Sequence, residues 1–170
     1  MTRASLTAAL VACASLQIAA TAPQTRTLSR PARARTDVPV PFKVGEALTF
    51  DVSWSTYLTA GTATLTVSER RPSFNSTAYY IVAEARPTPL LSKLYSLYYK
   101  ADTLIDTTNL LSQRGSIYSE EGKRHRFRIT EFDRTAKKAR YERQSDTDYK
   151  TEYATSPVAQ DVLSAIYVIR

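Results

Sequence analysis

Arginine occurs at every second position of one predicted strand, KRHRFRITEF, as Arg124, Arg126 and Arg128. Because successive side chains of a strand point to opposite faces, the three guanidinium groups share one face. Guanidinium groups bind carboxylates and phosphates bidentately, so this ladder could hold an anionic group of a ligand. The alternative is a solvated face, on which the arginines pair with acidic residues of a neighbouring strand, such as Glu142 or Glu152.

Two aspartates and one histidine are further candidates for polar chemistry. Asp102 and Asp106 lie four residues apart in a predicted strand, on one face, but no third metal ligand accompanies them. His125 is the only histidine and falls on the side of its strand with apolar parity, where a general base and a packed residue are the alternatives. Since no catalytic set is recognised, we expect a non-enzyme without metal or cofactor.

Apolar side chains could line a ligand site. Phe50 and Trp54 share the apolar face of the first predicted strand, where they either fill the core or border a cavity. Leu94 and Tyr98 share one side of a short predicted helix, which is either a core helix or a lid. The predicted ligand-binding residues are Phe50, Trp54, Leu94, Tyr98, Arg124, Arg126 and Arg128.

The composition is that of one globular domain. The chain has 170 residues, of which 43% are hydrophobic and 23% charged. The formal net charge is +7, but Arg3 and the arginines of residues 23–40 carry much of it. The rest is only mildly basic, so we expect no nucleic-acid partner. With one cysteine, the chain cannot form an internal disulfide.

The N-terminus has the pattern of a secretory leader. Arg3 precedes an apolar stretch that ends at Ala20-Thr21-Ala22, a small-x-small cleavage site. This pattern predicts a signal peptide over residues 1–22 and export to the periplasm or cell envelope. A retained transmembrane helix is the alternative, although residues 4–20 are short and interrupted by polar side chains.

A lipid anchor is a second possibility for this leader. Leu10-Val11-Ala12-Cys13 matches a bacterial lipobox, in which Cys13 would be lipidated and would attach the protein to a membrane. Otherwise Cys13 is an ordinary residue of the leader. Residues 23–41 are rich in Pro and Arg, which predicts a disordered linker before a single β-rich domain at 42–170.

Period-two alternation of apolar and polar residues dominates the chain after Gly45. Residues 46–54 and 60–69 read as an antiparallel hairpin with one apolar face. A turn is expected at 71–76. More strands are predicted at 78–86, 100–107, 111–119, 123–132, 138–144 and 148–154. The fold class is therefore mainly β, an antiparallel curled sheet or an open or spiral β-barrel.

Two short amphipathic helices accompany these strands. Thr88 and Pro89 would cap and start one at about 89–98, and Ser156-Pro157 would start another at about 157–169. The second helix carries an apolar stripe that we expect to face the sheet, formed by Val158, Val162, Ala165, Ile166 and Ile169.

Five sequence motifs follow one another in a characteristic order. They are Gly45-Glu46-x-Leu48-x-Phe50-x-Val52-Ser53-Trp54, Ala60-Gly61-x-Ala63-x-Leu65-x-Val67, Ser92-x-x-Tyr95 followed by Asp102 and Asp106, a basic strand ending in Phe132-Asp133, and Gln160-Asp161-x-Leu163-Ser164-x-x-Tyr167-x-x-Arg170. Over about residues 42–170 this order resembles a bacterial exported family catalogued as domain of unknown function 3108. The resemblance implies an envelope protein with an open or spiral β-barrel, similar in shape to periplasmic lipoprotein carriers. It supplies no catalytic residues. Members usually continue beyond the last motif, so the chain is either C-terminally truncated or a minimal version.

Two functions follow as expectations. The first is a non-enzymatic, exported cell-envelope protein that binds an apolar or amphiphilic ligand, such as a lipid or acyl chain. The second is a structural or protein-interaction module that docks an envelope partner through an exposed strand edge. The sequence leaves open the ligand's identity and the oligomeric state. Membrane association is expected only if Cys13 is lipidated.

Overall fold

Eight strands form one antiparallel sheet, in which each strand pairs with the next one along the chain. The structure is a computed structural model, and it describes residues 36–56, 58–145 and 147–170, apart from the side chain of Trp54. The strands are β1 (Ala47–Ser55), β2 (Leu58–Ser73), β3 (Ser76–Pro87), β4 (Leu97–Asp106), β5 (Ser112–Glu121), β6 (Arg124–Asp133), β7 (Lys138–Gln144) and β8 (Tyr149–Ala154). The helices are α1 (Pro89–Leu94) and α2 (Val162–Val168).

The sheet is open. Among the described residues, β1 pairs only with β2 and β8 pairs only with β7, so both are edge strands. The predicted mainly β, antiparallel fold with two short helices is confirmed, and the sheet is not closed into a barrel.

Every predicted strand is present, and most bounds agree within three residues. The turn predicted at 71–76 is much tighter than expected. Phe74 and Asn75 form it alone, with φ of 46° and 61°. Positive φ at both central residues is the geometry that matches the twist of paired strands. As a result β2 extends to Ser73 and β3 begins at Ser76.

The hydrophobic core lies on one face of the sheet, beneath α2. It consists of Phe42, Val67, Tyr79, Ile81, Ile105, Leu163 and Tyr167. The Phe42 ring lies edge-on to both Tyr79 and Tyr167, with 5.2 Å between ring centroids in each pair. We call the side of the sheet that carries this core the helix-bearing face.

Helix α2 begins later than predicted, which turns a different side toward the sheet. Asp161, not Ser156, is the N-cap. The buried residues of α2 are Leu163, Ser164 and Tyr167. The expected contact of the Val158–Ile169 stripe with the sheet is therefore wrong, because the exposed side chains include Val158 (71%), Val162 (75%) and Ile169 (83%).

Helix α1 is also shorter than predicted. It ends at Leu94 because Tyr95 is extended, with φ −153° and ψ 129°, and β4 begins at Leu97. Thr88 occupies the cap position, but its side chain makes no capping hydrogen bond. No residue of α1 is buried, so the core-helix interpretation is wrong.

Contacts with the sheet begin at Asp37, within the predicted linker. Asp37 pairs with Arg70 and accepts a hydrogen bond from the Thr107 hydroxyl at 2.6 Å. Val40 packs against the core. The predicted signal peptide (1–22) and Cys13 lie outside the described residues. Within the described ranges, neither helix is long and apolar enough to cross a membrane.

Candidate functional site: a groove beside helix α2

One carboxylate joins helix α2 to the sheet. The Asp161 Oδ1 atom accepts hydrogen bonds from the backbone N–H groups of Leu163 and Ser164, both at 3.0 Å. Its Oδ2 atom accepts hydrogen bonds from the hydroxyls of Thr103 (2.6 Å) and Ser112. The first pair is a helix cap, and the second satisfies two fully buried hydroxyls. Asp161 therefore sets both the start of α2 and its place over β4 and β5.

Gln160 extends this attachment. Its Oε1 atom accepts hydrogen bonds from the backbone N–H of Ser112 at 2.8 Å and the hydroxyl of Ser164 at 3.0 Å. Its Nε2 atom donates to the Leu110 carbonyl at 3.0 Å. Gln160 and Asp161 together form what we call the Gln160–Asp161 clamp. A Cβ atom at Gly115 would lie 3.0 Å from the Asp161 Cβ, so glycine there lets the clamp approach β5 closely.

Arg134 holds the segment that leads into the clamp. It donates hydrogen bonds to the carbonyls of Ala159 (2.7 Å), Pro157 (3.2 Å) and Ser112. Burial lowers the pKa of Arg134 from its usual value, although nearby Asp161 opposes this effect. The segment before the clamp is therefore held by the side-chain hydrogen bonds of a half-buried arginine and not by the backbone hydrogen bonds of a helix or strand.

A groove of about 550 Å³ runs between α2 and the sheet. Val162 and Ile166 form its helix side, and Ala101, Ile117 and Tyr141 are part of its floor. Arg128 lies at the same groove. A volume between about 300 and 1,000 Å³, an apolar lining and few polar groups are typical of small-molecule sites. The geometry suits an apolar chain that carries a polar group at one end.

The strand register explains this mixed lining. Residues directly opposite each other in antiparallel strands share a face. One row crosses all strands of the sheet on the helix-bearing face, and we call it the central row: Leu48, Leu65, Ala83, Ala101, Ile117, Arg128, Arg143 and Tyr149. It is apolar from β1 to β5 and cationic on β6 and β7.

Arg128 and Arg143 are direct cross-strand neighbours. The Nε atoms of both are buried and have no hydrogen-bond partner among the described residues. The predicted pairing of the arginine ladder with Glu142 or Glu152 is wrong, because both acids lie on the opposite face. Glu142 is opposite Ile129 and pairs with Lys150 at 3.1 Å, while Glu152 pairs with Arg140 at 2.9 Å. The register between β6 and β7, which decides these pairings, cannot be derived from the sequence pattern.

The other arginines of the ladder share the helix-bearing face. Arg126 lies opposite Ser119, and its Nη1 atom is 4.0 Å from a carboxylate oxygen of Glu121. Arg124 is exposed and lies opposite Glu121. Phe50 occupies the row next to the central row, through its pairing with Ala63, and is 49% exposed.

Two predicted site residues lie elsewhere, and the side chain of a third, Trp54, is outside the described part of the chain. Leu94 is 77% exposed on α1. Tyr98 is on the opposite face of the sheet, where Arg86 Cζ lies 4.7 Å from its ring centroid. The structure therefore brings Phe50 and the arginine ladder to one face, without Leu94 and Tyr98.

Asp102 and Asp106 belong to separate networks. Asp102 accepts a hydrogen bond from the Ser116 hydroxyl. Asp106 accepts hydrogen bonds from Ser76 (2.5 Å), Thr108 (2.7 Å) and Gln113 (3.0 Å). Burial raises the pKa of Asp106, but these hydrogen bonds outweigh it and hold the pKa below its usual value. Asp106 thus fixes the turn after β4.

His125 is exposed on the polar face, 3.2 Å from the Tyr118 hydroxyl, so the expected apolar environment is wrong. The neighbours of His125 on that face are polar. They include Tyr118 and Glu120, which accepts a hydrogen bond from the Tyr118 hydroxyl at 2.6 Å. Over the described ranges, no cluster of three or more His, Cys, Asp or Glu side chains is arranged to hold a metal ion.

Arg143 and the Gln160–Asp161 clamp were not predicted as functional groups. Arg143 shares a predicted strand with Tyr141 at period two, but only the register places it against Arg128. Asp161 stands directly before Val162-Leu163-Ser164, which is a usable helix-cap signal. The preceding Ser156-Pro157 is a stronger signal by residue type, and it marks a turn instead.

Comparison with known proteins gives one family. The family model described as "Protein of unknown function (DUF3108)" matches residues 49–170, which confirms the resemblance. Neither the curated proteins nor the solved structures include a significant match. The matched span holds the clamp, the groove and both central-row arginines. The chain belongs to the family described as Protein of unknown function (DUF3108).

Proposed function

We propose that this protein is a non-enzymatic binding protein for an apolar or amphiphilic ligand, held in the groove between α2 and the sheet. The observation that carries this proposal is the groove itself, with a volume of about 550 Å³ and a mainly apolar lining that also includes polar residues such as Arg128 and Thr130. A lipid or acyl chain has the matching chemistry, because burying apolar surface contributes roughly 25 cal/mol per Å².

Exposed apolar side chains around the groove support the proposal. Val162 is 75% exposed and Ile166 is 41% exposed, although both belong to a helix whose other side is in the core. Phe50 and Val52, on edge strand β1 of the same face, are 49% and 46% exposed but do not line the groove. Apolar side chains that are exposed together at a groove, as Val162 and Ile166 are, mark interaction or ligand sites.

The carboxylates at the groove are engaged in structure. Asp161 uses one oxygen for the helix cap and the other for two buried hydroxyls, and Asp102 holds Ser116. A carboxylate whose oxygens are occupied by structural hydrogen bonds holds strands and helices in place. This arrangement favours binding over acid–base catalysis at the same place.

The leader pattern supports a place of action outside the cytoplasm. A signal peptide at 1–22 would export the protein to the periplasm or cell envelope. Lipidation of Cys13 would in addition attach it to a membrane. The mass of the mature protein purified from cells distinguishes an acylated Cys13 from cleavage near residue 22.

Ligand binding is tested directly on the purified protein. Extraction into organic solvent followed by mass spectrometry should find a co-purified lipid, and calorimetric titration with dodecanoate should show saturable binding. Ile166→Ser, which changes the groove wall, should weaken dodecanoate binding about three- to tenfold. Ile169→Ser is the matched control, since Ile169 is 83% exposed on the same helix end and does not line the groove. No extracted lipid together with no dodecanoate binding would refute the proposal.

The open sheet favours a second candidate, a protein-interaction module. Edge strand β8 offers unpaired backbone groups along Tyr149–Ala154, within the described ranges, to a partner strand. Such an edge would also pair with a second copy of the chain. Sedimentation at rising protein concentration should then show dimers, whereas a monomer at all concentrations would count against this candidate.

A further inference from the structure

We propose that Arg128 and Arg143 form a head-group site for an anionic amphiphile whose apolar chain lies in the groove. This inference rests on the proposed function and specifies the ligand class. The head group is an oxyanion, a carboxylate or a phosphate, attached to the chain. Guanidinium groups bind both oxyanions in bidentate geometry.

The central row has the polarity of such a ligand. Its groove-lining members on β3 to β5 are Ala83, Ala101 and Ile117, and its members on β6 and β7 are the two arginines. At the usual strand spacing, the apolar part from β3 to β5 spans about 10 Å. The small side chains of Ala83 and Ala101 leave space above this part of the sheet. An extended chain can therefore lie along the row with its head group at Arg128 and Arg143.

The electrostatics of the unliganded protein point to an anion. Like charges directly opposite each other in a sheet destabilise it, and Arg128 faces Arg143 in this way. No ion pair with a described acidic residue neutralises either of them. Their buried Nε–H groups lack acceptors among the described residues, and burying an unsatisfied donor costs roughly 1–3 kcal/mol. An oxyanion between the two guanidinium groups would remove both penalties.

A third unsatisfied polar group lies on the same face, in the row next to the central row. The Ser119 hydroxyl is 1% exposed and has no hydrogen-bond partner among the described residues. Ser119 stands two positions along β5 from Ile117, the residue opposite Arg128, so it shares the helix-bearing face. A head group with several oxygens could accept a hydrogen bond from this hydroxyl as well.

The neighbouring acid does not occupy this site. Glu121 accepts a hydrogen bond from the Tyr99 hydroxyl at 2.6 Å and lies 4.0 Å from Arg126. It therefore engages the part of the ladder beside the site. Unlike Arg126, neither Arg128 nor Arg143 has an ion pair with a described acidic residue, and their Nε atoms are buried. The charge that complements the site is therefore negative, and the adjoining surface that complements the chain is apolar.

The experiment compares ligands that share one chain. Native mass spectrometry and calorimetry would measure binding of dodecanoate, dodecyl phosphate and dodecanol to the mature protein purified from cells. We expect wild type to bind the two anionic ligands at least tenfold more tightly than dodecanol. The double variant Arg128→Gln/Arg143→Gln should lose this preference and still bind dodecanol.

Arg140→Gln is the matched control. Arg140 is on β7, like Arg143, but lies on the opposite face and pairs with Glu152. This variant should retain the preference for anionic ligands. Arg143→Lys keeps the charge and removes the planar fork, so it should lose part of the preference. If the double variant does not fold, comparing the three ligands on wild type and on Arg143→Lys still tests the head-group site.

The possible results separate the two proposals. Equal affinity of wild type for dodecanol and dodecanoate would overturn the head-group site and leave the groove's function intact. An unchanged preference in the arginine double variant would also overturn it. Inorganic phosphate that binds as tightly as dodecyl phosphate would show an anion site unrelated to the groove, which overturns the proposal. Failure of all three ligands to bind would refute the groove function as well.

Discussion

The Asp161 carboxylate and the Thr103 hydroxyl lie 2.6 Å apart and connect helix α2 with the middle of β4. The same carboxylate caps α2 through the backbone N–H groups of Leu163 and Ser164. Because α2 forms one wall of the groove, the residue that positions the helix also defines the width of the groove. Stability and ligand binding are therefore coupled at this side chain.

Asp161→Ala should lower the free energy of unfolding by about 2–4 kcal/mol. The variant loses a helix cap, leaves the buried Ser112 hydroxyl without its acceptor, and leaves the Thr103 hydroxyl with only the Arg114 carbonyl, at 3.4 Å. Urea unfolding followed by circular dichroism measures the change. Asp161→Asn keeps an oxygen that can accept the cap hydrogen bonds, so it should lose less. Equal losses in both variants would mean that the cap contributes nothing.

Gly115→Ala should destabilise the protein by about 1–3 kcal/mol, through overpacking against the clamp. The new Cβ atom would lie 3.0 Å from both the Cβ and Cγ atoms of Asp161. A double-mutant cycle isolates this contact. In an Asp161→Gly background, which removes both atoms, Gly115→Ala should cost clearly less. Additive effects in urea unfolding would contradict a direct contact.

The strands could be predicted because their pattern is local. Alternation along 46–54 and 60–69 marks one apolar face for each strand, and the confirmed hairpin of β1 and β2 follows from it, although Phe50 and Val52 on that face of β1 are exposed. The helix α2 was harder, since its boundaries depend on contacts with distant residues. Asp161 caps it because Thr103 and Ser112 hold the carboxylate there, and no signal within 157–169 contains that information.

The candidate site was predicted only in part, for the same reason. The period-two spacing of Arg124, Arg126 and Arg128 shows that they share a face, but not which face. The register decides this by placing Ile117 on one side of Arg128 and Arg143 on the other. A shift by a single residue would have exchanged the faces, so the sequence pattern alone could not identify the arginine pair.

Arg143→Gln should raise the stability of the unliganded protein by about 0.5 kcal/mol, because it removes a like-charge neighbour of Arg128. Thermal unfolding monitored by circular dichroism, on protein freed of lipid, provides the measurement. The effect should shrink at high salt, which screens the repulsion between the two guanidinium groups. Arg140→Gln provides the contrast: it breaks the pair with Glu152 and should not stabilise. A loss of stability in Arg143→Gln would show that the contact of Arg143 with the Tyr149 ring, whose centroid lies 5.8 Å from Cζ, outweighs the repulsion.

Asp106 should make stability depend on pH in the acid range. Hydrogen bonds from Ser76, Thr108 and Gln113 hold its pKa below the value in the unfolded chain, which is about 3.9. The unfolded state therefore takes up the proton more readily, and the stabilisation is present above about pH 4 and lost as the pH falls through the lower, folded-state pKa.

Asp106→Asn tests this dependence through urea unfolding between pH 7 and pH 2.5. The variant should be less stable than wild type at pH 7, because an amide accepts these hydrogen bonds less well than a carboxylate. The difference should narrow as the pH falls below 4, since protonation removes the charge in wild type. Asp51→Asn removes an exposed carboxylate of β1 and controls for the change in net charge. A constant difference across this pH range would show that the charge of Asp106 does not stabilise the turn after β4.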